Sequence, residues 1–258
     1  MKTKRIAALT CLVLVAGVLA ACDTNSNPNS PAVRRVIASG HPEWPPIMFQ
    51  DGAVIDGAGP ALVKMIFEDL GINVAVRHTG TWDEVQAQAR TGAVDVLVAA
   101  YKTSAREEYM VYSDAYTTDP VALFVGQGKA FAFGSWDVLV GKRGVAMVGD
   151  SYGQQFDDFA AASLSLTRVT TAAQAFDLIS SGQADYFIYA LYSGEAFLKE
   201  TGAGAQFEIL PTFVTEENFY ITISKASPFV PYLPQINEAI AKYTADGTIA
   251  ALIAEYKQ

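Results

Sequence analysis

Between Arg34 and Ala100 the chain alternates short apolar runs with longer amphipathic ones, and that alternation restricts the folds open to it. Residues 34–39 (RRVIAS) read as a strand. In residues 59–71 (GPALVKMIFEDLG) the apolar Leu62, Val63, Ile66, Phe67 and Leu70 recur at helical spacing, and Gly71 ends the run. Residues 73–78 are strand-like again. Thr81, with Glu84 three residues on, makes a capping box for a second helix, and residues 94–100 (VDVLVAA) have the unbroken apolar character of a buried strand. Strand, helix, strand, helix, strand predicts an α/β fold on a mainly parallel sheet, because parallel neighbours need a crossover long enough to hold a helix.

A second α/β set begins near Val121. It reads as a strand (VALFVG), a short helix (WDVLVG), a strand (RGVAMVG), a helix (SYGQQFDDFAAA), a strand (LTRV) and a helix (TTAAQAFDLISSG). Near Asn218 the pattern changes once more, to a strand over residues 219–224 and two closing helices. No internal repeat is visible. These sizes predict two similar lobes, the second inserted into the first, with crossings at residues 116–124 and 215–223. A cleft between lobes joined by two strands can close like a hinge. Within the second set, DYFIYALYSG places Tyr186, Tyr189 and Tyr192 at three-residue spacing, which suggests a helix, while YFIY is aromatic and β-branched, which favours a strand. The residues alone leave both readings open; set in the second lobe of a two-lobe α/β chain, its first half reads as a buried strand and its second half as the start of a helix.

The N-terminus has the layout of an export signal: basic Lys2, Lys4 and Arg5, then an uncharged run from Ile6 to Ala21, shorter than the roughly 20 residues of a usual membrane span. The run ends in Leu19-Ala20-Ala21-Cys22. Small residues before a cysteine resemble a bacterial lipobox, with Cys22 acylated after cleavage; the alternative is an ordinary signal peptide. Asp23 next to Cys22 resembles an inner-membrane retention signal. Residues 23–31, rich in Asn, Ser and Pro, read as a tether. Cys11 and Cys22 are the only cysteines, so the exported part has none for a disulfide and depends on its core. The net charge is −9 without a basic cluster, which argues against nucleic acid as a partner.

From about Arg34 to Tyr256 the chain resembles bacterial extracellular (periplasmic) solute-binding proteins of family 3, the polar amino acid type that serves ABC importers. The resemblance rests on VIASGHPEWPPIMFQDGAVIDGAGPALVKMIFEDLGI, TWDEVQAQARTGAVDVLVAAYKTSAREEYMVYSDAY, GKRGVAMVGDSYGQQF, SGQADYFIYALYSG and the closing NFYITISKASPFVPYLPQINEAIAKYTADGTIAALIAEY. It implies a two-lobe, type II periplasmic-binding-protein fold, each lobe a mainly parallel sheet flanked by helices. The implied division is a lipoprotein signal at 1–21, a tether at 22–33, lobe one at 34–119, lobe two at 120–216 and a return segment of lobe one at 217–258. It further implies a monomer that binds an amino acid or related carboxylate without a cofactor, anchored by lipid at the outer face of the cytoplasmic membrane, with an ABC permease as partner.

Residue by residue, the resemblance puts Trp44 and Trp82 on either side of the ligand, where indole faces shed water and attract cations; the alternative is that both belong to the core. It gives Arg106 to the ligand carboxylate, which a guanidinium meets with two parallel bonds; a surface pair with Glu107 or Glu108 is the alternative. Tyr101, Lys102 and Thr103 fall near the cleft, with Lys102 either an anion contact or solvated. Ser151, with Tyr152 and Gln154 behind it, lies in a loop opening onto a helix, whose amides suit an anion. Asp150 there either caps the helix or accepts the ligand's ammonium. One position departs from the family: the carboxylate that holds the α-amino group falls on Ala190. Glu43, Asp150 and Asp114 are the acids available to replace it, and Tyr189 and Tyr192 offer hydroxyls and ring faces nearby. Two other classes remain open. One is a sensory subunit presenting the solute to a receptor kinase or chemoreceptor. The other is a dehydratase-like enzyme on the same scaffold, although no nucleophile–base pair is visible and His41 and His78 are not spaced as a metal site.

Overall fold

The structure, a computed structural model, describes residues 35–257. The expected signal, the lipidation site Cys22 and the tether lie outside the described residues. Strand β1 (Val36–Ser39) leads into a three-stranded antiparallel sheet of β2 (Glu43–Trp44), β3 (Met48–Asp51) and β4 (Val54–Asp56). Helix α1 (Ala58–Asp69), β5 (Val74–Val76), α2 (Trp82–Thr91), β6 (Val96–Ala100) and the short α3 (Ser104–Glu107) follow. The capping box at the start of α2 forms as expected: the Thr81 side chain accepts from the Glu84 amide, and Glu84 Oε2 accepts from the Thr81 amide at 2.8 Å. Gly92, left-handed at φ 75°, ends the helix.

Strand β7 (Met110–Gly126) is the spine of the molecule. After it come β8 (Arg143–Met147), α4 (Gln154–Ser163), β9 (Ser165–Val169), α5 (Ala172–Ser180), β10 (Tyr186–Ala190), α6 (Leu191–Thr201), β11 (Phe207–Ile209), β12 (Thr215–Ser224), α7 (Leu233–Ala245) and α8 (Thr248–Tyr256). The strand order is β5-β1-β6-β12-β7-β10-β8-β9, with β11 also on β7. The pairs β5-β1-β6 on one side and β10-β8-β9 on the other are parallel. Between them β12 and β7 run antiparallel, from Thr215 opposite Val121 to Ser224 opposite Met110. The N-terminal part of β7 thus belongs to one α/β half through β12. Its C-terminal part belongs to the other half through β10, which pairs from Phe187–Phe124 to Ala190–Val121. The set expected to begin at Val121 is therefore a continuation of one long strand, and residues 34–258 form one compact unit.

The ambiguous tyrosine stretch divides at Ala190, with β10 wholly buried before it and α6 after it. Tyr186 lies in the core over Gly144, where a Cβ would come within 2.5 Å of the ring. Helix α6 sits tightly on β7: a Cβ at Gly194 would lie 2.0 Å from Phe124 Cζ, so only glycine permits this approach.

Candidate functional site

A small cavity of about 20 Å³, lined by buried side chains, opens where the C-terminal ends of β1, β6 and β8 meet, with His41, Trp44, Trp82, Tyr101, Arg106 and Asp150 in its wall. Ser151, Met48, Ala99, Ala100 and Phe219 complete that wall. The volume is of the order of a single water, so the walls stand nearly in contact.

Arg106 is 5% exposed, and its amide donates to Thr103 Oγ1 at 3.2 Å, which caps α3 and fixes where the side chain starts. Its guanidinium donates from Nε to Gln86 Oε1 (2.9 Å), from Nη1 to Tyr101 O (3.0 Å) and from Nη2 to Gly149 O (3.3 Å). Among the described residues no ion pair involves Arg106, so the expected alternative, a surface pair with Glu107 or Glu108, does not form. Two of its five N–H donors are left over. Its charge lies 5.3 Å from the Trp82 ring centre.

Asp150 enters from the opposite wall. Its side chain is 1% exposed, and Oδ1 lies 3.2 Å from His41 Nε2. His41 Nδ1 accepts from the Glu43 amide at 2.9 Å, so the ring proton sits on Nε2 and donates to Asp150. Asp150 Oδ2 is buried without a hydrogen-bond partner. Asp150 does not cap α4, contrary to one expectation: the cap is Gly153, and Asp157 takes up Ser151 Oγ and the Tyr152 amide. Burial holds the Asp157 carboxyl above its ordinary pKa, opposed by these bonds and by Arg106.

The His41 ring touches both indoles, at 5.0 Å from Trp44 and 5.7 Å from Trp82. Trp44 is anchored by Nε1 to Asp119 Oδ2 at 2.7 Å, and Tyr101 donates to the same oxygen at 2.5 Å. Burial is the largest reason that the Tyr101 hydroxyl titrates well above its ordinary range, followed by the Asp119 charge. Burial also lifts Asp119 to about 6, against the two hydrogen bonds.

Of the residues expected to line the cleft, Trp44, Trp82, Tyr101, Arg106, Asp150 and Ser151 come together here. The others do not. Lys102 is exposed and pairs with Glu107 at 2.9 Å, which favours the solvated alternative. Thr103 caps α3. Tyr152 is core, its hydroxyl accepting from the Met147 amide at 3.1 Å. Tyr189 is buried beside Trp44 and donates to Glu43 O. Tyr192 faces an outer groove with Lys257 Nζ 3.4 Å from its ring centre. Glu43 accepts from the Ala172 amide at the start of α5, and Asp114 is exposed on β7; of the three acids weighed against Ala190, only Asp150 reaches the cavity. His41, Asp119 and Gln86 were not anticipated. His41 follows β1 directly, a strand-end position where parallel sheets present ligand contacts.

Among the described residues no helix is long and apolar enough to cross a membrane, and no cluster of three or more His, Cys, Asp or Glu suits a metal ion. No curated protein sequence matches the chain. Among solved structures it is similar to an ancestral arginine-binding protein bound to arginine, at 24% identity and TM-score 0.72, over 87% of this chain and 99% of that one. AbpA, an amino acid ABC transporter substrate-binding protein from Streptococcus pneumoniae bound to L-arginine, is similar at 19% identity and TM-score 0.70, over 86% and 94%. A histidine kinase sensor domain with similarity to periplasmic binding proteins matches at 21% identity and TM-score 0.74, over 86% and 96%. These likenesses identify the fold as the two-lobe type II periplasmic-binding-protein arrangement. With the family pattern matching residues 36–258, the chain belongs to the bacterial extracellular solute-binding proteins, family 3.

Proposed function

We propose that this protein is a non-enzymatic solute receptor that captures a small carboxylate-bearing zwitterion, an amino acid or an amino-acid-like solute, between its lobes and hands it to an ABC permease. The lobes are taken as residues 34–119 with 217–258, and residues 120–216. One observation carries the reading: a guanidinium with spare donors and no acidic partner, and a carboxylate with one unpaired oxygen, line the same small cavity. A buried unpaired charge is costly unless a ligand completes it. Asp150, from the loop after β8, supplies the negative group that Ala190 lacks, and family membership and the arginine-bound relatives support a solute of this kind.

Calorimetry of the purified protein against the standard amino acids and their betaine forms is expected to find a binder. Arg106→Ala should weaken that binder by about 2–5 kcal/mol while the thermal transition stays cooperative. Unchanged affinity in this variant overturns the assignment. A second reading, presentation of the solute to a sensor kinase, is favoured by the likeness to the kinase sensor domain; co-purification with a kinase instead of a permease decides for it. We further propose that Cys22 carries the lipid anchor. Cys22→Ser should move the protein from the membrane to the soluble fraction, and unchanged fractionation speaks against the anchor.

A further inference from the structure

Glu43 lies in β2, one residue before Trp44, and is not part of the cavity wall itself. Its amide, its carbonyl and its carboxylate are nevertheless each engaged. The amide donates to His41 Nδ1 at 2.9 Å and so sets the imidazole that reaches Asp150. The carbonyl accepts from the Tyr189 hydroxyl near the end of β10. The carboxylate Oε2 accepts from the Ala172 amide at 2.8 Å. The first bond stays within residues 34–119, and the other two cross to residues 120–216. Two positions on, Pro45 O accepts from Ser193 Oγ of α6 at 2.9 Å. Trp44, a wall of the cavity, is therefore flanked on both sides by bonds to the other half.

The carboxylate meets a helix end that has no acid of its own. Helix α5 begins at Ala172 behind Thr171, whose side chain accepts from the Gln174 amide, and its first turn holds no acidic residue. The free amides of a first turn and the helix dipole favour a negative charge there, and Glu43 brings one from the opposite half. The Tyr189 hydroxyl titrates well above its ordinary range, through burial first and the Glu43 charge second, so it stays a donor to Glu43 O. Parting the halves breaks both bonds and takes the acid away from α5.

We propose that Glu43 is a positioning residue that latches the shut arrangement of the halves, its carboxylate docked on the N-terminus of α5 while its amide holds the His41 wall of the cavity. This rests on the reading of the cavity as the solute site and governs how long that site keeps what it captures. The test is stopped-flow mixing of the intact protein with each standard amino acid and its betaine form in turn, followed by tryptophan fluorescence. Glu43→Gln removes the charge and keeps an acceptor for Ala172. It should speed dissociation of every compound that binds by about three- to tenfold. Ala173 is exposed in the first turn of α5, so adding Ala173→Asp to Glu43→Gln returns a charge to the helix end from within its own half. The double variant should regain the wild-type melting temperature and still release the solute fast. Unchanged dissociation in Glu43→Gln, or a return to the wild-type rate in the double variant, overturns the latch and, if binding is lost in Arg106→Ala, leaves the solute site standing. Failure of all these compounds to bind overturns the site reading and the latch together.

Discussion

Asp119 sits where β7 passes from one half of the molecule to the other, and one of its oxygens accepts from both Trp44 and Tyr101. Because its pKa in the fold is about 6, above the ordinary 3.8, the folded chain holds this proton more tightly than the unfolded one. Stability tied to that proton is present below about pH 4 and is lost as pH rises through about 6, by up to ~3 kcal/mol. Asp119→Asn keeps an acceptor for both partners without the charge. Its stability relative to wild type should therefore rise over that pH window in denaturant titrations, and a constant difference across the window would refute the assignment. At this scale the sequence shows the residues that sit in motifs resembling the family's: Trp44 in HPEWPP, Trp82 at the start of a helix and Arg106 in TSAR. It does not show Asp119 or His41, because their roles depend on partners 75 and 109 residues away in the chain. Lys102 and Tyr192 fail for the converse reason: proximity in sequence to the cleft does not decide which way a side chain leaves the backbone.

Between β10 and α6 the chain changes from one period to another within ten residues, which is why three evenly spaced tyrosines end in three environments: core, wall-to-wall contact and outer groove. Gly194 shows how closely the second element rests on the first. In a free helix, alanine is favoured over glycine by about 1 kcal/mol. Here its methyl would meet the Phe124 ring, so overpacking should prevail and Gly194→Ala should lower stability by about 1–3 kcal/mol. A raised melting temperature would mean that α6 moves off the sheet without cost. The helices were readable from their period, and the buried strands β6 and β10 from unbroken apolar or aromatic and β-branched runs. The β2–β4 sheet was not: its strands of two to four residues are too short to carry one. The continuity of β7 was hidden because its first half is only partly buried while residues 119–125 are buried on both faces, so the two halves read as different kinds of strand.

Across the whole molecule, the two halves already touch. Gln86 and Arg106 reach Gly149, the Ser104 amide donates to Gln154 Oε1 at 2.9 Å, and Ser193 Oγ donates to Pro45 O at 2.9 Å. With a cavity of about 20 Å³, a solute of amino acid size would enter it only after the walls part. Stopped-flow mixing, read through the fluorescence of Trp44 and Trp82, should give association rates that level off at high solute concentration, at the rate of parting. A rate that stays linear in concentration would show that the walls rest apart. A solute held between these walls would therefore leave only as the bonds that join them part, so residence would be set as much by Gln86–Gly149 and Ser104–Gln154 as by the solute's own contacts.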